Sequence, residues 1–375
     1  MPDRAPPARV LMTADTIGGV WDYSLQLAES LGMRGVAVTL ATMGAAPTRD
    51  QAMAAAGVPG LELISRECRL EWMDDPWADV DAAGEWLLDL EEDMGPDIIH
   101  LNGYAHGSLP WRAPVLVVGH SCVCSWWDAV HGRPAPVAWN SYRERVRAGL
   151  FAADAVAAPS RTMAGALARH YGRLDVSVIP NGRDPRYFSP GPKGTFVLCA
   201  ARAWDPAKNV RLLASAGSRL PWPVYVAGDT APDDSTWDAD CVHLLGRLAS
   251  PVLRQWLACA SIYVLPAKYE PFGLSALEAA LCQCALVLGD IPSLRENWDG
   301  AAIFVPTDDP EALAFCLSDL AAGPDRLSAL AIRAYEQALK LSPDRMADAY
   351  MELYGRLLRE PVPVRRPRGD SSCAW

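Results

Sequence analysis

Residues 261–281 form the stretch SIYVLPAKYEPFGLSALEAAL, from which the class of fold can be inferred. Its first part, SIYVLPA, is a short apolar run with β-branched and aromatic side chains, which is typical of a buried strand. Pro271 and Gly273 then interrupt the chain, and the LSALEAAL that follows favours a helix. A buried strand, a loop and a helix form the repeating unit of α/β proteins with a parallel sheet. We therefore predict such a sheet here.

The same alternation extends in both directions from this stretch. Apolar runs such as ARVLMTAD (8–15), VAVTLATMG (36–44), PVLVVGHS (114–121) and FVLCAAR (196–202) predict further strands. Between the strands lie longer segments with helical periodicity, near 21–33, 77–94, 137–152, 161–171, 250–260, 309–321, 325–340 and 344–358. The whole chain therefore belongs to the α/β class.

One segment breaks the alternation. RDPRYFSPGPKG (183–194) contains three prolines and two glycines and has no apolar period, so we interpret it as a linker between two domains. The predicted boundaries are 1–185 for the first domain, 194–343 for the second, 344–359 for a C-terminal helix and 360–375 for a flexible tail. Two such domains place a cleft between the carboxyl ends of their sheets, where open α/β sheets bind ligands.

Composition excludes several classes of protein. The 375 residues carry a net charge of −11, which argues against a nucleic-acid-binding protein because such proteins need a basic surface. The same charge limits membrane association to a peripheral contact, for which Arg143, Arg145 and Arg147 on one predicted helix are candidates, although Glu144 favours a solvated face. The sequence shows no secretory signal and no run of about 18 apolar residues, so we expect a cytoplasmic protein.

Neither the cysteines nor the acidic pairs favour a metal site. The ten cysteines are scattered, mostly in apolar runs, and we expect buried thiols. Cys122/Cys124 and Cys282/Cys284 have the C-x-C form, which leaves half a metal site as an alternative. A D-x-D at residues 238–240 lies in a polar run and is interpreted as a solvent loop.

Two glutamates flank the break in the opening stretch. Glu270 lies in the loop before the helix, whereas Glu278 lies on the helix itself. The first amides of that helix, from Gly273 to Ala276, have no partner within the helix and suit a phosphate group. The alternative is one solvent-exposed glutamate and one that caps the helix.

Two cations and two glycines stand at other strand ends. Arg202 ends FVLCAAR, and Lys208 follows six residues later at the start of a predicted helix. Fixed cations beside an amide-rich helix end can hold a diphosphate and stabilise it as it leaves. Gly18 and Gly19 follow the first strand, where they would let the backbone approach a ligand closely. Ordinary surface charges and a simple tight turn are the alternatives.

A histidine ends a strand on the same side of the predicted cleft. His120 follows PVLVVG, and a packed or surface histidine is the alternative to a functional one. His100 and His106 lie near another strand end and are weaker candidates for contacting a second substrate. Trp126 and Trp127 come soon after His120, and we expect their segment to shape that same side.

Together these residues resemble the family 4 glycosyltransferases, a retaining group of GT-B architecture, over residues 8–358. The most specific element of the resemblance is E-x7-E, met by Glu270 and Glu278. The other matching positions are Arg202 and Lys208 (phosphate clamp), Gly18 and Gly19 (glycine loop), His120 (histidine after a late strand) and 179–182 (IPNG at the end of the first domain). The implied fold is two Rossmann-like α/β/α domains facing each other across a cleft, with the C-terminal helix crossing back to the first.

The resemblance also implies site residues. The catalytic candidates are Glu270, which would contact the donor sugar, His120, Arg202 and Lys208. The substrate-binding candidates are Gly18, Gly19, Phe272, Gly273, Leu274, Ser275, Glu278, Gly228 and Asp229. In this set, 272–275 would offer backbone amides to the sugar and phosphate, Glu278 would bind the ribose hydroxyls, and Gly228 and Asp229 would lie near the nucleotide.

The implied reaction is a metal-independent, retaining transfer from a nucleoside diphosphate sugar, with UDP- and GDP-sugars favoured, to an unidentified acceptor. No other cofactor is expected, and the acceptor and oligomeric state stay open. A nucleotide-sugar epimerase or a phosphorylase of the same fold is one alternative. A non-catalytic protein that binds sugar nucleotides is another.

Overall fold

The computed structural model describes residues 6–217, 219–229 and 242–359. The strands of its first sheet are β1 (Arg9–Asp15), β2 (Ala37–Gly44), β3 (Leu61–Glu67), β4 (Ile98–Leu101), β5 (Val115–Val118), β6 (Ala155–Ala158) and β7 (Val176–Val178). The helices around it are α1 (Gly19–Gly32), α2 (Arg49–Ala56), α3 (Trp77–Met94), α4 (Val123–His131), α5 (Asn140–Ala152) and α6 (Arg161–Tyr171).

The second sheet starts after the proline-rich segment. Its strands are β8 (Gly194–Ala200), β9 (Val224–Ala227), β10 (His243–Gly246), β11 (Ala260–Leu265), β12 (Ala285–Gly289) and β13 (Ile303–Val305). The helices of this half are α7 (Val210–Gly217), α8 (Ser250–Cys259), α9 (Leu274–Leu281), α10 (Pro292–Trp298), α11 (Pro310–Ala322), α12 (Pro324–Ala338) and α13 (Pro343–Arg359).

Both sheets are parallel and doubly wound. The strand order is β3-β2-β1-β4-β5-β6-β7 in the first and β10-β9-β8-β11-β12-β13 in the second. The order reverses between β1 and β4 and between β8 and β11, and such switch points are where open α/β sheets bind ligands. The predicted fold class, two α/β domains with parallel sheets, is confirmed.

The opening stretch of the sequence forms the centre of the second domain. All six residues of β11 are buried, as expected for a strand covered on both faces. Gly273 ends the loop that follows, with a φ of 92°, and α9 begins at the next residue. This φ lies in the left-handed region that glycine adopts most easily, so Gly273 sets where the helix starts.

The C-terminal helix packs against the first domain. Buried side chains of α13, among them Met346, Tyr350, Leu353 and Tyr354, share a cluster with α1 and β1. Arg34 on the first domain also pairs with Asp348, at 2.6 Å. The chain therefore crosses to the second domain and returns.

Three helices lie where the sequence analysis predicted none, namely α2, α4 and α10. Segment 123–131, which contains Trp126 and Trp127, is therefore helical. Each helix is short, at seven to nine residues, and two begin where a polar side chain accepts a hydrogen bond from a first-turn amide. Short helices show little periodicity, which explains why they were missed.

The three arginines of α5 do not form one free basic face. Arg145 pairs with Asp81 and its guanidinium lies 4.7 Å from the centre of the Trp77 ring. Arg147 donates to the Tyr171 carbonyl at 3.1 Å. No helix in the described part of the chain is long and apolar enough to span a membrane. The D-x-D of residues 238–240 and the predicted tail at 360–375 lie outside the described residues.

Candidate active site

The first predicted glutamate and lysine meet at the start of α9. Lys208 Nζ lies 2.7 Å from Oε2 of Glu270. The other carboxylate oxygen, Oε1, accepts a hydrogen bond from the amide of Gly273 at 3.0 Å. The carboxylate therefore bridges a fixed cation and a backbone amide. Both side chains are largely buried, which strengthens the pair relative to one in open solvent.

The N-terminus of α9 is open. No side chain caps it, so the first-turn amides of Leu274 and Ser275 are free of helical partners. The Ser275 hydroxyl accepts a hydrogen bond from the buried Tyr263 hydroxyl at 2.7 Å. Phe272 points its side chain into the core of the second domain, so only its backbone is available to a ligand.

Arg202 is held beside this helix end. Its Nη2 lies 2.9 Å from Oδ2 of Asp205, and its guanidinium lies 5.4 Å from the centre of the Trp204 ring. Its Nε is buried with no hydrogen-bond partner among the described residues. A buried donor without a partner is uncommon in proteins and marks a place where a ligand oxygen would be stabilised.

The glycine loop of the first domain faces these groups. A Cβ on Gly18 would lie 3.0 Å from Nη1 of Arg202, and a Cβ on Gly19 would lie 3.2 Å from Leu274 Cδ1. The φ of Gly18 is 83°. The loop therefore needs glycine for its backbone conformation and because it contacts the second domain closely.

The second predicted glutamate has an unpredicted partner. Glu278 is 8% exposed, and its Oε1 accepts hydrogen bonds from Nε (2.7 Å) and Nη2 of Arg183. Arg183 also lies 3.6 Å from Asp22 on α1. Burial raises the pKa of Glu278, and the charge of Arg183 opposes that rise. Arg183 thus joins the first domain, the linker and the second glutamate.

Gly228 and Asp229 support the loop that carries Arg202. The φ of Gly228 is 147°, and a Cβ there would lie 1.9 Å from the Ala201 carbonyl oxygen. The carbonyl of Asp229 accepts a hydrogen bond from Ala203 at 2.9 Å. The two residues therefore touch this loop through their backbones.

His120 lies on the first-domain side with its ring near Tyr23, at 4.5 Å between ring centres. Its Nε2 lies 2.9 Å from Oδ1 of Asn102. Burial lowers its pKa to about 3, so the ring is neutral near pH 7. His100 is buried and hydrogen-bonded to Tyr354 of α13, and His106 is buried and hydrogen-bonded to the Val80 carbonyl, so neither is positioned as an exposed contact for a second substrate.

Several site residues have no signal in the sequence. Asp205 holds Arg202, and its other oxygen accepts a hydrogen bond from Trp126 Nε1 on α4 at 3.2 Å. Tyr269, next to Glu270, hydrogen-bonds Ser125 of α4 at 2.8 Å. These contacts join residues far apart in the chain, and only the position of Tyr269 beside the motif hints at one of them.

Family models match both domains. Residues 17–187 match the model described as Glycosyltransferase Family 4, and residues 194–322 match the model described as Glycosyl transferases group 1. A D-inositol 3-phosphate glycosyltransferase from Thermobispora bispora is 33% identical over 34% of this chain and 31% of its own length. The same enzyme from Kineococcus radiotolerans is 29% identical over 51% and 54%. The matches thus span a third to a half of these two relatives.

Longer matches agree with these. An alpha-maltose-1-phosphate synthase from Mycolicibacterium smegmatis is 25% identical over 66% of this chain and 70% of its own. Sucrose-phosphate synthase from Thermosynechococcus elongatus superposes with a TM-score of 0.75, at 19% identity, over 93% of this chain and 98% of that one. HepE from Anabaena, solved with UDP and glucose, gives 0.74 at 15% identity over 93% and 100%. The chain belongs to the family 4 glycosyltransferases of GT-B architecture.

Proposed function

We propose that this chain is a retaining glycosyltransferase that moves a sugar from a nucleoside diphosphate sugar, UDP- or GDP-linked, to an acceptor hydroxyl. One observation carries the proposal. Lys208 and the Gly273 amide both donate hydrogen bonds to the Glu270 carboxylate at the N-terminus of α9, which no side chain caps. These donors already hold an anionic group. They lie beside Leu274 and Ser275, whose first-turn amides suit a phosphate.

The diphosphate binds where opposite charges are already paired. Lys208 is neutralised by Glu270, and Arg202 by Asp205. An arriving diphosphate takes hydrogen bonds from Lys208, from Arg202 and from the amides at the start of α9. Glu270, released from Lys208, accepts from a hydroxyl of the donor sugar. The paired state keeps both cations in position before the donor arrives.

The nucleoside lies towards Glu278. One of its carboxylate oxygens is committed to Arg183, so the other is the acceptor for the ribose hydroxyls. Gly228 and Asp229, whose backbones support the Arg202 loop, lie on the side of the base and diphosphate. This assignment makes Arg183 the residue that orients the ribose contact.

The transfer exchanges one C–O bond for another. The acceptor oxygen bonds to the anomeric carbon from the face that the diphosphate leaves, so the configuration is retained. The electron pair of the broken bond passes to the diphosphate, and the acceptor proton passes to a phosphate oxygen. Arg202, Lys208 and the α9 amides stabilise the charge that develops on the leaving group. His120 lies on the side of the sugar ring.

Glu270 is poorly suited to act as a nucleophile. In the proposed donor complex, Oε1 still accepts from the Gly273 amide and the other oxygen accepts from a hydroxyl of the donor sugar, and such bonds reduce the reactivity of a carboxylate. Incubation with a slow fluorinated donor followed by intact-protein mass spectrometry tests this. An unmodified protein is expected, whereas a sugar attached to Glu270 would establish the covalent scheme.

Metal independence follows from the same groups. Fixed cations and amides supply the positive charge that a divalent ion supplies elsewhere. Transfer is therefore expected to survive an excess of chelator. Loss of activity that Mn²⁺ restores would contradict this part of the proposal.

The test of the whole proposal is a thermal-shift and hydrolysis screen with UDP-, GDP-, ADP- and dTDP-sugars. One donor is expected to raise Tm and to be slowly hydrolysed. Lys208→Ala and Glu270→Ala should abolish both effects, with kcat/KM lowered about 100- to 1000-fold. Lys340→Ala, an exposed lysine of the second domain, is the control. No stabilisation by any nucleotide sugar would point instead to a protein outside this reaction class.

The acceptor is sought next. The names of two relatives make D-inositol 3-phosphate the first compound to test. Product analysis without any acceptor separates transfer from its alternatives. An epimerised donor or a free sugar phosphate formed under those conditions would favour the epimerase or phosphorylase reaction. NMR of the glycosidic product shows whether the anomeric configuration is retained.

A further inference from the structure

His120 belongs to a buried chain of hydrogen bonds that the reaction above does not use. Its Nε2 lies 2.9 Å from Oδ1 of Asn102, and the same oxygen lies 3.2 Å from Nε2 of His100. Nδ1 of His100 in turn lies 2.6 Å from the Tyr354 hydroxyl. The chain runs from the end of β5, through the end of β4, to the C-terminal helix α13.

The direction of each bond follows from Asn102. Its Nδ2 donates to the Thr13 carbonyl at 2.7 Å, so Oδ1 is the end that accepts. Nε2 of His120 therefore carries a hydrogen. Nε2 of His100 lies 3.2 Å from the same oxygen and 3.3 Å from the Tyr23 hydroxyl, and with its hydrogen it donates to these two oxygens. The Tyr354 hydroxyl then donates to Nδ1 of His100.

Only one ring nitrogen of a neutral histidine carries a hydrogen. With Nε2 protonated, Nδ1 of His120 has a lone pair. It makes no hydrogen bond with a described residue, and it is not fully enclosed by the protein, so a ligand atom can reach it. The polar atom that His120 offers to a ligand is therefore an acceptor. The titratable groups around its ring are His100 and Tyr23.

We propose that Asn102 is a positioning residue that fixes the Nε2–H tautomer of His120, so that Nδ1 of His120 accepts a hydrogen bond from a substrate hydroxyl. This inference rests on the proposed function, and it specifies which chemical group of a substrate can face His120. The group facing His120 carries an O–H, because neither hydrogen nor fluorine in that place can donate to Nδ1. His120 itself gives no proton to the reaction. Through Tyr354, the C-terminal helix supports the arrangement.

The tautomer is measured directly, without substrate, by nitrogen-resolved NMR of the whole protein labelled at its six histidines. A His120→Gln variant assigns the signal. Near pH 7, His120 is expected to show a protonated Nε2 and an unprotonated Nδ1. A protonated Nδ1, or an imidazolium, would overturn the proposal.

Substitutions separate positioning from folding. Asn102→Asp keeps the acceptor oxygen and adds a charge, so it should raise the pKa of His120 and bring imidazolium signals towards neutral pH. Asn102→Leu removes the acceptor, so the two tautomers should mix and kcat should fall up to about 100-fold, with donor KM little changed. If Asn102→Leu does not fold, the His120 signal in Asn102→Asp still tests whether Asn102 acts on His120. An unaltered His120 signal in both variants would refute the role of Asn102.

Two tyrosines one turn apart on α13 provide a matched pair. Tyr354→Phe removes the hydroxyl that donates to His100 and should shift the His100 Nδ1 signal. Tyr350→Phe is the control, because the Tyr350 hydroxyl approaches Tyr23 but makes no hydrogen bond of normal length among the described residues. Equal effects of the two variants on the His100 signal would contradict the assigned chain.

Substrate analogues complete the test. Deoxy and deoxyfluoro analogues of the donor sugar and of the acceptor should identify one hydroxyl whose loss lowers kcat/KM in the parent but not in His120→Ala. If no hydroxyl behaves in this way, the contact with Nδ1 is absent. A protein with the expected tautomer that binds no nucleotide sugar contradicts the proposed function, whereas a wrong tautomer in an active transferase contradicts only this inference.

Discussion

The charged residues of the candidate site are paired with one another. Lys208 holds Glu270, and Arg202 holds Asp205, each at hydrogen-bonding distance. A partly buried cation without a partner would be costly, whereas a paired one can exchange its partner for a phosphate with little loss. In the proposed function, the donor diphosphate binds by replacing the carboxylates on these cations. The geometry of the cations is set in advance, which is the condition for effective stabilisation of a leaving group.

Gly18 tests whether the glycine loop positions Arg202. Gly18→Ala places a Cβ 3.0 Å from Arg202 Nη1 at a φ of 83°. Gly35 has a similar φ of 80° with nothing within 4 Å, so Gly35→Ala introduces strain from a positive φ without the contact. Gly35→Ala should lower stability by about 1–2 kcal/mol, and Gly18→Ala by more, because the ψ of Gly18 is −153°, a combination with positive φ that only glycine adopts readily. Only Gly18→Ala should also lower kcat/KM for the donor, by about tenfold or more. Equal kinetics in the two variants would contradict this role.

Asp15, at the end of β1 beside the glycine loop, gives a prediction about pH. Burial raises its pKa to about 6 from a usual 3.8. The native state therefore holds a proton that the unfolded state has lost between these values, and stability falls as pH rises through them. Asp15→Asn should raise the free energy of unfolding near pH 8 by up to about 3 kcal/mol and leave it unchanged below pH 3.8.

Denaturant unfolding at both pH values measures the effect. Asp50→Asn, at an exposed aspartate of the same domain, controls for the loss of a surface charge. A gain from Asp15→Asn that is the same at both pH values would show that titration of Asp15 is not its cause.

Only some of the contacts between site residues could be predicted from the sequence. The spacing of Glu270 and Glu278 and the positions of Arg202 and Lys208 are local signals, and the sequence analysis named all four. Arg183 was assigned only to a linker, although it contacts Glu278 across 95 residues of chain. A contact of that kind depends on how two domains pack, and no local pattern encodes it.

Among the elements, predictability followed length and burial. Fully buried strands such as β5 and β11 and the long helix α3 carry strong patterns, and the predicted elements correspond to them. The helices α2 and α10 were missed, although each has a start signal. Thr48 and Gln51 form a capping box before α2, and Pro292 is the first residue of α10. Such start signals are weak when no helical periodicity of apolar residues follows them.

The missed helix α10 supplies a contact between the domains. Glu296 accepts hydrogen bonds from the amides of Arg161 and Thr162 at 2.7 and 3.0 Å, so its carboxylate caps α6 of the first domain. An anion at a helix N-terminus is favourable, and here it also joins the two halves. This cap is therefore one of the contacts between the two halves of the molecule.

Glu296→Ala should therefore widen the cleft. Loss of the cap should lower the free energy of unfolding by about 1 kcal/mol and increase the radius of gyration measured by small-angle X-ray scattering. Asp309→Ala is the matched control, because Asp309 caps α11 within the second domain through Glu311 and Ala312. It should lower stability by a similar amount without changing the radius. A radius that stays the same in Glu296→Ala would show that other contacts fix the cleft.

At the scale of the whole molecule, the C-terminal helix α13 completes the core of the first domain. The polypeptide builds one domain, then the other, and returns with α13 to fill the core beside α1. The same helix provides Tyr354, which ends the hydrogen-bond chain behind His120. The stability of the first domain thus depends on residues that follow the second domain in sequence, and the same packing that completes its core also reaches the site.

Two leucines test this dependence. Leu353 on α13 is 4% exposed in the first-domain core, and Leu330 on α12 is 2% exposed in the second-domain core. Each leucine-to-alanine change should lower stability by about 2–5 kcal/mol. Hydrogen exchange should speed up in β1 and β5 for Leu353→Ala and in β8 and β11 for Leu330→Ala. The two sites lie on adjacent helices with only 22 residues between them. Faster exchange in the second domain for both variants would mean that the packing of α13 stabilises the second domain and not the first.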